Sequence, residues 1–409
     1  MKCRHCGCQS MAPFLDLGTA PPSNSYVSTA GLAGPELWYP LVIRVCTQCL
    51  LVQTEDFAAR ETFFSESYAY FSSFSTSWLN HAKAYVEAMI ARFDIGPQSH
   101  VVEVASNDGY LLQYVKAAGI ACLGIEPTKS TADAAREKGI AVIEEFFGEA
   151  LAAKLVAEGH AADLTAANNV LAHVPDINDF VRGFATLLKP EGVSTFEFPH
   201  LMNMVAESQF DTAYHEHYSY LSLTAVDRIF TANGLRVFDV ETTPWHGGSL
   251  RVFACRADRA THPMQPSVSA LLQREAEAGL RDLATYAAFQ TQAERVRNDF
   301  TTFLIDCQRQ GMKVIAYGAA AKGNTLLNYA GIKPDLLSFV VDKNPAKQGQ
   351  FLPGSRIPIV SEEALKEQRP ERVVILPWNL QNEIMTQLSY IRDWGGTFVT
   401  AVPRLTIHP

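Results

Sequence analysis

One run, Phe210-Asp211-Thr212-Ala213-Tyr214-His215-Glu216-His217-Tyr218-Ser219, packs more ionisable and aromatic side chains together than any other part of the chain. Ionisable groups set between aromatics mark a place where pKa values are tuned for chemistry. Imidazole titrates near ~6.5, so His217 can accept a proton at neutral pH as a general base. Glu216 and Tyr214 can orient that ring or stabilise a developing enolate. Two other readings fit the same letters: His215 and His217 as metal ligands, or a surface loop without chemistry.

Cys3-x2-Cys6 and Cys46-x2-Cys49 form two knuckles, each of which points two thiolates at one ion. Together they complete a tetrahedral four-sulfur site, which leaves no open position for water and so favours structural zinc. The 39 residues between them exceed the usual ribbon spacing, making a long-loop variant with Cys8 as a substitute ligand. Metal-free thiols and a redox CxxC are the alternatives; neither pair sits at a strand-to-helix junction, as redox pairs do.

Glu103-Val104-Ala105-Ser106-Asn107-Asp108-Gly109-Tyr110 reads as a strand turning into a helix, and Glu126 closes the next strand. A glycine there lets backbone approach a ligand closely, and an acid at the second strand suits ribose hydroxyls. With no Gly-x-Gly-x-x-Gly in the turn, a ligand lacking phosphate is expected, and S-adenosylmethionine fits. Phe146 and Phe147 would flank its adenine, and Asn168 and Asn169 would line its methionine end.

A later turn, Gly318-Ala319-Ala320-Ala321-Lys322-Gly323-Asn324, resembles a dinucleotide loop, with Asp342 at the next strand end. By itself this pattern reads as an NAD site.

The elements that must position these groups are legible in outline. The 409 residues, 47% hydrophobic and 19% charged, suffice for several cores. Residues 1–65 read as a small metal-stapled module with a strand at Leu41–Val45. Residues 66–260 alternate helices (Trp78–Phe93, Tyr110–Ala118) with strands at 101–105, 122–126, 163–167, 193–198 and 250–255, the pattern of a parallel sheet. Residues 261–409 open with a stretch that reads as helical throughout 265–310. A smaller α/β unit follows, with strands at 313–318, 337–342, 373–377 and 396–402. The fold class is therefore α/β. A net charge of −9 argues against a general nucleic-acid binder. No run approaches a membrane span and no secretory signal is visible, so a cytoplasmic setting is expected.

The chain resembles the C-methyltransferases of nucleotide-linked deoxysugar biosynthesis, among them the tetronitrose, mycarose and noviose enzymes. The resemblance rests on Cys-Arg-x-Cys-Gly at 3–7, Val-Cys-x-x-Cys-x-Leu-Val-Gln at 45–53, Ser-Asn-Asp-Gly-Tyr at 106–110 and Gly-Ile-Glu-Pro-Thr at 124–128. Asn-Asn-Val-Leu-Ala-His-Val at 168–174, the His-Glu-His run, His-Gly-Gly-Ser-Leu-Arg at 246–251 and Tyr-Gly-Ala-Ala-Ala-Lys-Gly-Asn-Thr at 317–325 complete it. It implies an N-terminal zinc module, a central Rossmann-like class I methyltransferase domain and a C-terminal Rossmann-like domain that grips the sugar nucleotide. The implied substrate is a thymidine-diphosphate 4-keto-6-deoxy sugar, methylated on carbon beside the ketone. It also implies His217 as base, with Tyr214, Glu216 and Tyr68 beside it. Cofactor contacts are expected at Glu103, Ser106, Asn107, Asp108, Gly109, Tyr110, Glu126, Pro127, Phe146, Asn168, Asn169 and His173. Substrate contacts are expected at His200, His215, His246, Gly247, Arg251, Tyr317, Lys322 and Asn324. A monomer is expected. An O- or N-methyltransferase, and a zinc-dependent nucleic-acid module, are the rival functions.

Overall fold

The computed structural model describes residues 1–57 and 71–409; Tyr68 lies outside the described residues. Turn formers divide the start into β1 (Met11–Ala20), β2 (Tyr39–Cys46) and β3 (Val52–Thr54), an antiparallel meander. In β2 the side chains of Leu41, Ile43 and Val45 are buried while Val42 and Arg44 are partly exposed, the two-residue period of a one-sided strand.

After α1 (Thr76–Phe93), strands and helices alternate: β4 (His100–Val104), α2 (Leu112–Ala117), β5 (Ala121–Ile125), α3 (Lys129–Glu137), β6 (Ala141–Ile143), α4 (Glu149–Ala157), β7 (Ala162–Asn168), α5 (Ile177–Leu187) and β8 (Leu188–Pro199). Then come α6 (Leu201–Ala206), β9 (Ser219–Tyr220), α7 (Leu223–Ala232), β10 (Leu235–Thr243) and β11 (Ser249–Arg256). Seven strands form one sheet in the order β10-β11-β8-β7-β4-β5-β6, parallel from β8 to β6. Its order reverses between β4 and β7, so the crevice beyond their carboxyl ends is where such a sheet holds a ligand. β9 stays out of this sheet. It pairs with β3 instead (Val52 opposite Tyr220), which ties the chain just after His217 to the edge of the cysteine-bearing meander.

The stretch expected to be helical throughout 265–310 is two helices, α8 (Pro266–Glu277) and α9 (Leu283–Arg309). Gly279 takes a left-handed φ of 82°, Leu280 N–H returns to the Glu275 carbonyl, and the Asp282 side chain accepts from Ala284 N–H to start the next helix. A glycine stop followed by an aspartate cap outweighs continuous apolar spacing. α9 runs ~40 Å at 1.5 Å per residue and packs on β1, with Phe14 stacked on Phe289 at 4.7 Å.

The last sheet gathers β12 (Val314–Tyr317), β13 (Val340–Val341), β14 (Ile359–Val360), β15 (Arg372–Ile375), β16 (Thr397–Thr400) and β17 (Thr406–His408) in the order β14-β13-β12-β15-β16-β17. Helices α10 (Ala321–Tyr329), α11 (Glu363–Gln368) and α12 (Gln381–Gln387) connect them. All pairs but the last are parallel. The fold is thus α/β, with two Rossmann-like sheets joined to a cysteine-stapled meander.

His200, expected among the substrate contacts, is instead fully buried with its Nε2 2.7 Å from Glu275 Oε1. Glu275 also accepts from Leu223 N–H, Thr224 N–H and the Thr224 hydroxyl, capping α7. Burial opposes its charge, yet His200 and Thr224 hold it below the ordinary carboxylate range. Replacing Glu275 with alanine strands His200 and two N–H donors, and urea melts are expected to show a loss of about 3–5 kcal/mol.

Candidate active site

The turn after β4 is built for close approach. Ala105, Asn107 and Gly109 have φ of 58°, 48° and 75°, and Ala105 and Ser106 both donate their N–H to the Ile125 carbonyl. Glu126 accepts from Asn107 N–H through Oε2 and from Thr128 N–H through Oε1, both at 2.9 Å, which brackets Pro127. A Cβ on Gly109 would lie 2.4 Å from Ile140 Cδ1, so both conformation and space require glycine. Gly109→Ala is expected to cost about 1–3 kcal/mol in urea melts and to weaken S-adenosylhomocysteine binding. An unchanged melt would show that the turn relaxes freely.

This turn is left with buried polar atoms that no described residue satisfies. Both oxygens of Glu103, Ser106 Oγ, Asp108 Oδ1 and Asn168 Oδ1 have no hydrogen-bond partner among the described residues. Burial, then Glu126 and Asp108, push Glu103 well above the carboxylate range, and burial raises Glu126. Such a site wants donors and repels phosphate. The ribose hydroxyls and ammonium of S-adenosylmethionine are donors without phosphate, so the residues fit that group. Tyr110 accepts from Asn168 Nδ2 at 3.4 Å and stacks with Trp78. Phe147 belongs to the core, edge-on to Phe180 and Phe184, whereas Phe146 is 40% exposed beyond β6.

Asn169 turns away from this pocket. With φ 55° it donates Nδ2–H to His246 Nε2 at 3.1 Å, and His246 lies edge-on to Trp78 at 5.1 Å. Burial takes His246 down to about 4.

His217 follows a short turn at Phe210–Thr212, and its Nδ1 lies 3.0 Å from the Thr212 carbonyl. A carbonyl can only accept, so Nδ1 carries the hydrogen and the lone pair sits on Nε2. No described residue hydrogen-bonds Nε2. Tyr214 and His173 pack on the ring at 4.0 and 4.6 Å, and the Thr54 hydroxyl of β3 donates to the His217 carbonyl at 2.5 Å. Burial and then His173 hold His217 well below 6.5, so it is neutral at physiological pH. His173 donates Nδ1–H to the Glu216 carbonyl at 2.9 Å and is pushed to about 4 by burial.

Glu216 does not orient His217; the Thr212 carbonyl does. Both Glu216 oxygens accept from Asn24 Nδ2 at 3.0 Å, and burial raises the carboxyl to about 7. His215 faces the Tyr39 carbonyl at 3.2 Å. Among the described residues the cysteine quartet is the one group that could hold a metal, which leaves the histidine-metal reading without support.

The substrate residues scatter. Arg251 is committed to its own sheet, with Nη2 and Nε on Glu197 Oε2 and Nη1 on Glu241, so it does not face the cleft as a free grip. The Tyr317 hydroxyl meets Gln387 at 2.8 Å, in the cluster on the other face of the last sheet. Asn324 donates to the Ser23 carbonyl at 2.6 Å, pinning the loop that carries Asn24. Lys322 and Gly247 do converge on the site: Lys322 Nζ donates to Asn379 at 2.7 Å, and a Cβ on Gly247 would lie 2.5 Å from the Trp378 ring.

The dinucleotide reading of the last sheet meets two obstacles. A Cβ on Gly318 would lie 2.5 Å from Pro377 Cδ, and the Ala319 N–H is already taken by Asp342 at 2.7 Å. Asp342 thus takes one N–H of the turn that would cradle a pyrophosphate.

At the N-terminus, the sulfurs of Cys3, Cys6, Cys46 and Cys49 all lie within 4.8 Å of one another, with Cys3–Cys49 and Cys6–Cys46 at 3.5 Å. Four thiolates at the usual zinc distance stand ~3.8 Å apart, so the quartet fits zinc. The Cys49 hydrogen bond holds Cys3 down at about 4, so a thiolate is already present. Cys8 stays outside, accepting from Ser10 N–H.

Sequence reasoning missed the roles of Asn24, Thr54, Trp78 and Trp378, each far along the chain from the motif it serves, and it missed that the Thr212 carbonyl, within the His-Glu-His run, orients His217.

Comparison with known proteins agrees with this geometry. Residues 3–64 match a zinc binding domain family, 78–240 a methyltransferase domain family and 244–403 the C-methyltransferase C-terminal domain family. The chain is 32% identical over 402 residues to the C-methyltransferase NovU of Streptomyces niveus, covering 98% of this chain and 95% of that protein. Magnesium protoporphyrin IX methyltransferase from Synechocystis PCC 6803 with bound SAH is 15% identical, over 44% of this chain and 83% of that one, with a TM-score of 0.35. The PH0226 protein from Pyrococcus horikoshii is 12% identical, over 49% and 100%, with a TM-score of 0.37. Those two likenesses are too distant to carry an argument. The full-length match does carry one: the chain belongs to the C-methyltransferase family, with S-adenosylmethionine as methyl donor and zinc in its N-terminal cysteine quartet.

Proposed function

We propose that this C-methyltransferase methylates the carbon beside the ketone of a nucleotide-linked, thymidine-diphosphate-type 4-keto-6-deoxy sugar, with His217 as base. One observation carries this: the Thr212 carbonyl claims Nδ1–H, which leaves a lone pair on Nε2 of a neutral, buried imidazole. Such a ring takes a proton and holds no charge beforehand. Tyr214 packs on its face; Glu216, near 7, and His173 complete the wall. Tyr68 belongs to the same reading.

Bound at the turn after β4, S-adenosylmethionine supplies an electrophilic methyl group. Glu103, Ser106, Asp108, Glu126 and Asn168 hold it there, and the Tyr110–Trp78–His246 aromatic contacts bridge that pocket to His217's side of the cleft. Aligning donor and acceptor can contribute ~7–11 kcal/mol. The chain would act as a cytoplasmic monomer, binding neither nucleic acid nor membrane. No helix among the described residues is long and apolar enough to cross one.

The test is to incubate the enzyme with methyl-13C donor and thymidine-diphosphate 4-keto-6-deoxyglucose or its 3-amino analogue. The label should appear on a ring carbon by NMR; label on oxygen or nitrogen would establish the O- or N-methyltransferase reading. Without donor, in D2O, the hydrogen beside the ketone should exchange. Salt-dependent binding of random duplex would revive the nucleic-acid reading.

A further inference from the structure

A base held well below the ordinary imidazole range binds protons weakly. It can deprotonate carbon only if charge on the ketone oxygen is stabilised as it forms. The groups around His217 in the middle sheet are neutral, but α10 brings a cation to the same place. Lys322, in the first turn of α10, lies over Trp378, whose indole meets Asp211 in the short turn before His217 and whose ring abuts Gly247 beside His246. Its Nζ donates to Asn379 Oδ1 at 2.7 Å and stands 4.5 Å from the Trp378 ring. An ammonium has three donors, and among the described residues Asn379 is the one acceptor on this Nζ. Lys322 lies deep among protein atoms yet keeps part of its surface open, as a group facing a ligand does.

Its surroundings fix its position, and although burial lowers its pKa, Asp211 offsets part of that. The Trp378 indole donates to Asp211 Oδ2 at 2.8 Å, and Asp211 Oδ1 is buried with no hydrogen-bond partner among the described residues. Trp378 also presses on Gly247, next to His246, so the last sheet and the His246 loop are held in register. A Lys322 that gripped the substrate's diphosphate instead would show itself as weaker diphosphate binding with turnover intact.

We propose that Lys322 is a further catalytic residue, whose ammonium donates a hydrogen bond to the ketone oxygen while His217 removes the neighbouring proton. The inference rests on the base reading of His217. The C–H bond breaks and its proton passes to His217 Nε2; its electron pair forms the C=C bond and the carbonyl pair moves to oxygen, against Lys322. The enolate carbon then forms the new C–C bond as the methyl–sulfur bond breaks with its pair on sulfur. Lys322 keeps its proton throughout, and His217 returns its own to solvent.

The test is Lys322→Met in the zinc-loaded enzyme, with three readouts: kcat, donor-free hydrogen exchange in D2O, and the affinity of thymidine diphosphate alone. kcat and exchange are expected to fall together by about 10²–10³-fold, with diphosphate affinity changed less than about twofold. Exchange at the wild-type rate, or tenfold weaker diphosphate binding with kcat intact, overturns the proposal. If Lys322→Met melts early, Lys322→Gln, which can still bond Asn379, is judged by the same outcomes. Exchange surviving in His217→Gln instead sinks the base reading itself, so the two failures are distinct.

Discussion

His217→Gln is expected to lower turnover by about 10²–10⁴-fold while S-adenosylhomocysteine affinity changes less than about twofold. Glutamine can still donate to the Thr212 carbonyl and fill the space beside Tyr214 and His173, so packing is kept and the lone pair on Nε2 is lost. Isothermal titration with the product cofactor and steady-state kinetics separate the two effects. The pH profile adds a signed check. Protonation of His217 blocks it as a base, and its folded value lies well below 6.5. The acid limb of kcat/KM that it causes should therefore lie below pH 6.5, with activity persisting as pH falls through that value. Glu216 titrates near 7, so any step at neutrality belongs to it and should vanish in Glu216→Gln while the lower limb stays. A lower limb that survives His217→Gln would assign the proton to another group.

Removal of zinc should be nearly as severe. Structural zinc in small modules contributes ~10–16 kcal/mol of apparent binding energy that is also folding energy. Here the quartet joins the first residues to the turn between β2 and β3. Those elements reach the site: Thr54 of β3 donates to the His217 carbonyl, and the loop between β1 and β2 carries Asn24 to Glu216. Cys46→Ala, or chelation, is expected to lower the melting temperature by more than about 5 °C and to reduce turnover at least tenfold. Metal analysis, thermal melts and turnover are read on the same sample. Full turnover in metal-free protein would mean that the cysteine module is dispensable to the site.

The sequence by itself determined what short-range covalent spacing can determine. Two residues between cysteines force a knuckle, and the small residues from Ser106 to Gly109 allow a tight turn between β4 and α2. A histidine five residues after Thr212 can close on its carbonyl. Strands β4, β5, β7 and β8 were legible because strands buried on both faces read as apolar runs, whereas the short β6 and the antiparallel pairing of β11 were not. The break at Gly279–Asp282 was not read, because the apolar spacing on either side hid its glycine stop and aspartate cap.

Only the tertiary structure decided which motifs meet. Asn24 and Glu216 are 192 residues apart, and Trp378 and Asp211 are 167 apart. It turned Arg251 toward Glu197, sealed His200 on Glu275, and set Lys322 over Trp378. Periodicity shows which face of an element is buried, not against what. Partners at such separations are selected by the packing of whole sheets and helices, for which no local pattern of residues is a record.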